Sequence, residues 1–210
     1  MVESFCAVEL YLPDYLVHAM PWSRPSRAST WFYANWGYEE SKHSLALHDW
    51  LLKSGLRSEE RMADLEVEIF RHSWQLPHDN VVAMLAYAMV QERATALNYR
   101  NLRRRTRERG GDAQTHHNFF LNSVRLYLGH DRDGTLEQLR RVMHAFAMPA
   151  IYGLVDGRQR VAQIKELEIF DEELYVREVY LPIVEDLGVR RSEMRNRLPD
   201  RKSARAGGAY

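Results

Sequence analysis

Apolar residues recur every three or four positions along most of this chain, which is the period of an α-helix. No stretch of useful length alternates apolar and polar residues as a β-strand would. The pattern therefore predicts an all-α protein built as an up-down helix bundle, with extra helices towards the C-terminus. The predicted helices cover residues 2–18, 31–53, 58–70, 80–109, 114–128, 135–146, 159–167 and 171–187.

Prolines set the predicted boundaries in the first part of the chain. We expect Pro13 to kink the first helix, because proline removes a backbone donor and clashes with the preceding turn. The stretch 21–25 begins and ends with proline and should break the chain. Ser29 or Thr30 would then cap the following helix.

Glycine and small polar residues set the predicted boundaries further along. The two glycines at 110–111 should stop the longest helix, and residues 131–134 should form a turn. Residues 195–210 are basic and rich in small residues, so we predict a disordered tail there. The remaining residues, 1–194, would form a single helical domain.

The composition narrows the class of protein. A chain of 210 residues, of which 45% are hydrophobic, is suited to one folded domain. Since we find neither an apolar run of 18 residues nor a secretory signal, we expect a cytoplasmic protein without a membrane span. Basic and acidic residues balance at 29 each, which disfavours nucleic-acid binding. The single cysteine, Cys6, excludes an internal disulfide framework and should be a small buried residue.

Three carboxylates interrupt the apolar faces of the predicted helices. Glu9, Glu40 and Glu92 each lie between apolar residues at helical spacing, on the side that should face the core. His43 follows Glu40 by three residues and so lies on the same face of its helix. Burying an unpaired carboxylate costs several kcal/mol, so each of these groups needs a compensating partner.

Three kinds of compensation are open to these carboxylates. Arg93 or Arg125 could reach in as an ion-pair partner, protons could be shared, or metal ions could bind. Carboxylate and imidazole ligands suit iron or manganese. Di-iron bundles combine single glutamates with Glu-x-x-His pairs from facing helices. In chain order, this sequence offers Glu9, Glu40 with His43, Glu92 and then His116.

Several short strings in this chain occur in the order in which they are found in a known family. The best matches are residues 8–15 (VELYLPDY), 38–43 (YEESKH) and 91–95 (QERAT), with weaker ones at 116–120, 131–135 and 148–150. On these strings the chain resembles the soluble acyl-acyl-carrier-protein desaturases of the ferritin-like superfamily. The resemblance covers most of residues 5–160.

The resemblance implies an oxygen-dependent enzyme that removes two hydrogens from a fatty acyl chain held on acyl carrier protein. It also implies a ferredoxin-type electron donor, a homodimer and a ferritin-like fold. Two iron ions would be bound by Glu9, Glu40, His43, Glu92 and His116. The alternatives are a non-catalytic remnant or binding protein of the same fold, and a ferritin-like oxygenase with another substrate.

One position departs from the family pattern. The last ligand pair of the family is a second Glu-x-x-His, but Ala113 lies three residues before His116. We therefore expect a shortened chain that begins close to Glu9 and lacks a segment near 112–114. Asp112 is the first candidate for a replacement ligand.

Distances along the chain predict a misplaced His116. From Glu92 to Gly110 there are 18 residues, which corresponds to roughly 27 Å of helix. The six residues from Gly110 to His116 span at most roughly 20 Å. We therefore predict that His116 falls short of Glu92 and that the chain binds nearer one iron ion than two.

Two further features have alternative interpretations. The six arginines within 100–109 would form either a solvated helix end or a docking surface for an acidic carrier protein. His117 should face away from the ligands, either at the surface or behind them.

Overall fold

The computed structural model describes residues 1–75, 78–106, 113–148, 154 and 156–195. Across these ranges the regular structure is helical, with no strand, which confirms the all-α prediction. No helix within these ranges is both long enough and apolar enough to cross a membrane. The helices are α1 (Val2–Glu9), α2 (Leu12–Ser23), α3 (Arg27–Lys53), α4 (Glu59–Phe70), α5 (Val81–Thr106), α6 (Ala113–His130), α7 (Arg132–His144), α8 (Gly157–Glu166), α9 (Glu172–Leu174), a π-helical turn (Tyr175–Tyr180) and α10 (Leu181–Asp186).

The predicted first helix is two helices rather than one kinked helix. The break comes between Glu9 and Leu12, just before Pro13 instead of at it. Pro13 lies in the first turn of α2, where the missing backbone N–H has no partner to lose. The proline therefore starts a helix and does not bend one.

The predicted break at 21–25 comes later and is shorter. α2 continues through Pro21 and ends two residues further on, so the lost backbone hydrogen bond falls in its last turn. Ser26 caps α3, because its hydroxyl accepts the backbone N–H of Ser29 at 3.3 Å. The predicted caps, Ser29 and Thr30, are instead part of the helix.

One later boundary also differs from the prediction. Residues 131–134 form the start of α7 and not a separate turn, because Asp131 accepts the Gly134 N–H at 3.0 Å and caps the helix. α5 is described as far as Thr106. The glycines at 110–111 and the predicted tail from 196 onwards lie outside the described residues.

The core is arranged as two groups of helices that face each other. α1 and α2 pack against α3, whereas α5 packs against α6, α7 and the π-helical turn. Aromatic rings join the two groups: Phe32 of α3 stacks on Phe119 of α6, with ring centroids 3.4 Å apart, and Trp36 meets Phe120 edge to face. The space between α1, α3, α5 and α6 contains the polar cluster described next.

Candidate metal centre

Four helices contribute to one buried polar cluster. Glu9 comes from α1, Glu40 and His43 from α3, Glu92 from α5, and His116 from α6. The three glutamates and His116 are at most 7% exposed, and His43 is partly exposed. The structure therefore brings together all five side chains that the sequence singled out.

The cluster consists of two groups of potential ligands that share Glu40. Glu9, Glu40 and His43 form one group, and Glu40, Glu92 and His116 form the other. Within each group, one potential ligand atom per residue lies within 4.8 Å of the others. Glu40 offers a different oxygen to each group: its Oε2 lies 3.0 Å from His43 Nδ1, and its Oε1 lies 3.0 Å from His116 Nδ1. A carboxylate placed in this way can bridge two cations.

Two buried atoms at the centre have no hydrogen-bond partner among the described residues. His116 Nδ1 and Glu40 Oε1 are close, but they do not meet in hydrogen-bonding geometry. His116 Nε2 lies 2.5 Å from Glu39 Oε2 and donates its proton there, so the ring, once Nδ1 has lost its proton to a bound metal, would direct the lone pair of Nδ1 at the cluster. An imidazole lone pair and carboxylate oxygens that converge in this way are suitable ligands for a transition-metal ion. The residues present therefore fit a bound metal.

The two arginines considered as ion-pair partners bind elsewhere. Arg93 Nη1 lies 3.0 Å from Asp186 Oδ2, and its Nε donates to the Glu178 carbonyl at 3.0 Å. Arg125 donates to the Asp186 carbonyl at 2.5 Å. The interpretation of the cluster as an ion pair with Arg93 or Arg125 is therefore wrong, and histidines, shared protons or metal ions remain.

The pKa values of the cluster reflect the crowding of its carboxylates. Burial and the nearby charge of Glu40 raise the pKa of Glu9, and burial raises the pKa of Glu92. Burial opposes ionisation of Glu40 too, but its close contacts with His116 and His43 lower its pKa to about 2. Burial opposes protonation of His116, yet its contacts with Glu40 and Glu92 raise its pKa to about 11. Without a metal, Glu9, Glu92 and His116 therefore tend to hold protons. A bound cation would displace these protons.

Three neighbouring side chains hold the ligands in place. Trp36 Nε1 donates to Glu92 Oε1 at 2.7 Å, and the Tyr99 hydroxyl donates to Glu9 Oε1 at 2.7 Å. Glu39 accepts from His116, as described above. Glu39 was not among the predicted site residues. It is adjacent to the predicted ligand Glu40, and one residue along a helix is a rotation of about 100°, so the spacing gave no reason to place it near His116. Its role becomes visible only in the folded chain, where α6 places His116 beside it.

The prediction that His116 falls short of Glu92 is wrong, because its Nδ1 lies 3.5 Å from Glu92 Oε2. The prediction followed the chain through residues 107–112, which lie outside the described residues. In the described part, α6 packs closely along α5, and this packing brings His116 level with Glu92.

His117 lies behind the ligands and not at the surface. It is 1% exposed, its Nδ1 donates to the Met89 carbonyl at 2.9 Å, and its Nε2 accepts from Arg93 Nη1 at 3.4 Å. Burial lowers the pKa of His117, so it is a neutral residue that ties α6 to α5. Asp112, the candidate replacement ligand, lies outside the described residues.

The arginine-rich stretch is only partly described. Arg100 Nη2 lies 3.0 Å from Glu178 Oε2, and Arg104 is exposed. Residues 107–109 lie outside the described ranges. Arg100 therefore has a structural ion pair, and the choice between a solvated helix end and a docking surface stays open.

A pocket adjoins the cluster at Glu92. Its cavity volume is about 40 Å³. Its lining is mostly aromatic and apolar, as in many sites for small molecules. The lining residues are Tyr15, His18, Ala19, Tyr33, Trp36, Trp74, Met84, Tyr87, Ala88, Gln91, Glu92 and Phe120.

Glutamates and histidines that converge from four helices define a class of protein, the helical bundles with a candidate two-metal centre. Comparison with family models identifies the family: the chain belongs to the fatty acid desaturase family of acyl-acyl-carrier-protein desaturases, whose model matches residues 12–198. The all-helical structure is consistent with the ferritin-like fold of that family, which uses two iron ions. Four of the five cluster residues lie inside the matched range, and Glu9 lies three residues before it. Searches among curated proteins and solved structures gave no significant match.

Proposed function

We propose that this protein is a di-iron, oxygen-dependent desaturase that introduces a double bond into a fatty acyl chain carried on acyl carrier protein. The observation that carries the proposal is the buried, shared Glu40 between two Glu/His groups, in a chain that belongs to the desaturase family. A ferredoxin-type protein would donate electrons, and the enzyme would act in the cytoplasm as a homodimer.

Each candidate ligand has a specific role in this proposal. Glu9 and His43 would hold one iron ion, Glu92 and His116 would hold the other, and Glu40 would bind both. When bound, iron supplies the activation of oxygen that removal of two hydrogens requires. The protein side chains fix the ligands in advance, which lowers the cost of organising them around the metal.

The pocket beside Glu92 would position the acyl chain. Its aromatic walls, among them Trp36 and Phe120, would exclude water and orient the part of a hydrocarbon chain that enters it. Trp36 belongs to both the pocket and the candidate metal centre. Its ring lines the pocket, and its Nε1 donates a hydrogen bond to Glu92. A C–H bond in this pocket would therefore lie next to the Glu40/Glu92/His116 group.

The two iron positions should differ in affinity. The earlier reason to expect nearer one iron ion than two was a misplaced His116, and that reason no longer holds. Ala113 still provides no carboxylate where the family has one. We therefore propose that both positions bind iron and that the Glu40/Glu92/His116 position binds it more weakly.

Iron content and turnover test the proposal together. After anaerobic loading with ferrous iron, elemental analysis should find more than one and up to two ions per chain. Glu40→Ala should remove both, because it deletes the shared ligand, whereas the exposed control Glu60→Ala should keep both. Mass spectrometry of an acyl-carrier-protein substrate, with oxygen and reduced ferredoxin, should then show a product lighter by two hydrogens. Iron that stays bound after Glu40→Ala would contradict the ligand assignment.

A second candidate function rests on two buried polar atoms in the pocket. His18 Nε2 and Tyr33 Oη have no hydrogen-bond partner in the described structure, and both residues line the pocket. A substrate with a hydrogen-bonding group would satisfy them better than a plain hydrocarbon. An oxygenase with such a substrate would bind iron but leave acyl-carrier-protein substrates unchanged. A protein that neither binds iron nor turns over would be the non-catalytic remnant.

A further inference from the structure

Arg93 of α5 contacts three further helical elements. Its Nη1 lies 3.0 Å from Asp186 Oδ2, at the end of α10, and 3.4 Å from His117 Nε2, on α6. Its Nε donates to the Glu178 carbonyl of the π-helical turn at 3.0 Å. One guanidinium group therefore joins the C-terminal part of the described chain to both α5 and α6.

The sequence explains why the Glu178 carbonyl accepts a donor from another helix. In a regular α-helix this carbonyl would accept the backbone N–H four residues later, but Pro182 has none. The proline ring also crowds that carbonyl, and the chain forms the π-helical turn just before it. Turns of this kind are frequent at functional sites. The guanidinium of Arg93 supplies the donor that Pro182 lacks.

His117 connects this contact to the candidate metal centre. Its Nδ1 donates to the Met89 carbonyl of α5 at 2.9 Å, and its Nε2 accepts from Arg93, so both ring nitrogens hold α6 against α5. Met89 lies about one turn before Glu92, and His117 directly follows His116. The two hydrogen bonds of His117 therefore fix the level at which His116 Nδ1 meets Glu92 Oε2, 3.5 Å away.

We propose that Arg93 is a positioning residue for the Glu40/Glu92/His116 position and that it acts through His117. This inference rests on the proposed function, because it concerns one of the two iron positions. The Glu9/Glu40/His43 position takes its ligands from α1 and α3, whereas the contacts of Arg93 are with α6, α10 and the π-helical turn. Arg93 therefore supports one metal position and not the other.

The contacts of Arg93 depend on the shape of its side chain as well as on its charge. The planar guanidinium holds Nε and Nη1 at a fixed angle, so it can donate to the Glu178 carbonyl and to His117 at once. A lysine ammonium is a single point charge at the end of a flexible chain. It could pair with Asp186, but it could not also make the other two contacts.

Titration with divalent cobalt tests the selective effect on one position. Arg93→Met and Arg93→Lys should each weaken binding at the Glu40/Glu92/His116 position about tenfold and at the other position less than about twofold. The NMR signals of His43 and His116, which nearby cobalt broadens, assign each step of the titration. The matched control is Arg100→Met, on the same helix, which removes an ion pair of 3.0 Å with the Glu178 side chain and should leave both affinities unchanged.

A double-mutant cycle tests whether Arg93 acts through His117. An asparagine amide can replace Nδ1 of the ring but has no group at the place of Nε2. His117→Asn should therefore keep the contact with Met89, lose the one with Arg93 and weaken cobalt binding about tenfold. Adding Arg93→Met to it should cause little further loss, because the same contact cannot be lost twice. Losses that add to about 100-fold would overturn the proposed route.

A measurement on the metal-free chain distinguishes failure of this inference from failure of the proposed function. The NMR signal of the His116 Nε2 proton, which is donated to Glu39, should shift or broaden in Arg93→Met and stay unchanged in Arg100→Met. A wild-type chain that binds no cobalt would contradict the proposed function, and this signal would still test the role of Arg93. An unchanged signal in Arg93→Met, or equal weakening of both cobalt positions, would overturn the positioning role.

Discussion

Two buried glutamates six residues apart in α1 are compensated in opposite ways. Glu3 is 2% exposed and is surrounded by guanidinium groups: Arg57 binds its Oε2, and Arg61 and Arg160 bind its Oε1 at 2.6 and 2.7 Å. Glu9 is 7% exposed and faces other carboxylates, with the Tyr99 hydroxyl as its hydrogen-bond donor. The same residue type on the same helix therefore meets two different electrostatic environments.

The pKa values of the two groups move in opposite directions. Burial acts to raise the pKa of Glu3, but the hydrogen bonds from Arg160, Arg57 and Arg61 lower it to about 2. Burial and the charge of Glu40 raise the pKa of Glu9. A carboxylate that has its own cations stabilises the fold directly. A carboxylate that lacks them and faces further carboxylates is a candidate ligand, because only a proton or a metal ion can neutralise it.

The largest expected effect separates these two roles in the metal-free chain. Glu3→Gln should lower the free energy of unfolding by about 3 kcal/mol, because it removes the buried negative charge that Arg57, Arg61 and Arg160 share. At pH 5, Glu9→Gln should change it by less than about 1 kcal/mol, since a protonated carboxyl and an amide have similar shape and charge. Urea unfolding of both variants measures the difference.

For metal binding, Glu9→Gln should have the larger effect and Glu3→Gln the smaller one. Iron-dependent stabilisation should survive in Glu3→Gln, once its lower baseline is subtracted, and should fall sharply in Glu9→Gln. Equal destabilisation of the metal-free chain by the two substitutions would show that Glu9 is also a structural carboxylate.

The sequence was sufficient for Glu9 but not for Glu3. Glu9 stands out because apolar residues surround it at helical spacing, and that signal lies within one helix. Glu3 depends on Arg160, which is 157 residues further along the chain. No local pattern connects the two positions, so their contact becomes visible only in the folded chain.

The same distinction applies to the rest of the site and fold. Glu40 and His43 could be paired from their spacing alone, because both lie on one helix face. The position of His116 could not, since it depends on how α6 packs along α5. The presence of each helix could be predicted from its apolar periodicity. The residue at which α7 starts could not, because it depends on a single capping hydrogen bond at Asp131. Local signals were predictable, and contacts across the bundle were not.

The second expected effect concerns Glu39, which accepts the hydrogen bond of His116 Nε2. Glu39→Gln should weaken metal binding at the Glu40/Glu92/His116 position by about 10- to 100-fold, because the partner of a ligating histidine fixes its ring and tautomer. The Glu9/Glu40/His43 position should keep its affinity. Titration with a spectroscopically visible divalent cobalt ion, together with the NMR signal of the His116 Nε2 proton, would distinguish the two positions. Equal weakening of both would assign Glu39 a general structural role.

A third, smaller effect should come from supplying the carboxylate that the second group lacks. Ala113→Glu places a carboxylate three residues before His116 on α6 and recreates a Glu-x-x-His pair. We expect metal affinity at the weaker position to rise about tenfold, with Ala113→Gln as the matched control of similar size but without charge. Equilibrium dialysis against ferrous iron or cobalt measures the change. An unchanged affinity would indicate that another group already completes this position.

The smallest effect is a difference in how stability changes with pH in the metal-free chain. Glu3 has a lowered pKa, so its stabilisation is present above pH 4.5 and is lost as the pH falls towards about 2. Glu9 has a raised pKa, so the folded chain retains a proton that the unfolded chain releases, and stability falls as the pH rises above 4.5. One such proton changes the free energy of unfolding by at most about 1.4 kcal/mol per pH unit. Unfolding measured between pH 5 and pH 8 should therefore show a downward slope that is shallower in Glu9→Gln and unaltered in Glu3→Gln. Bound metal should flatten this slope as well, because it displaces the proton, and a slope that is the same with and without metal would mean that the cation binds elsewhere.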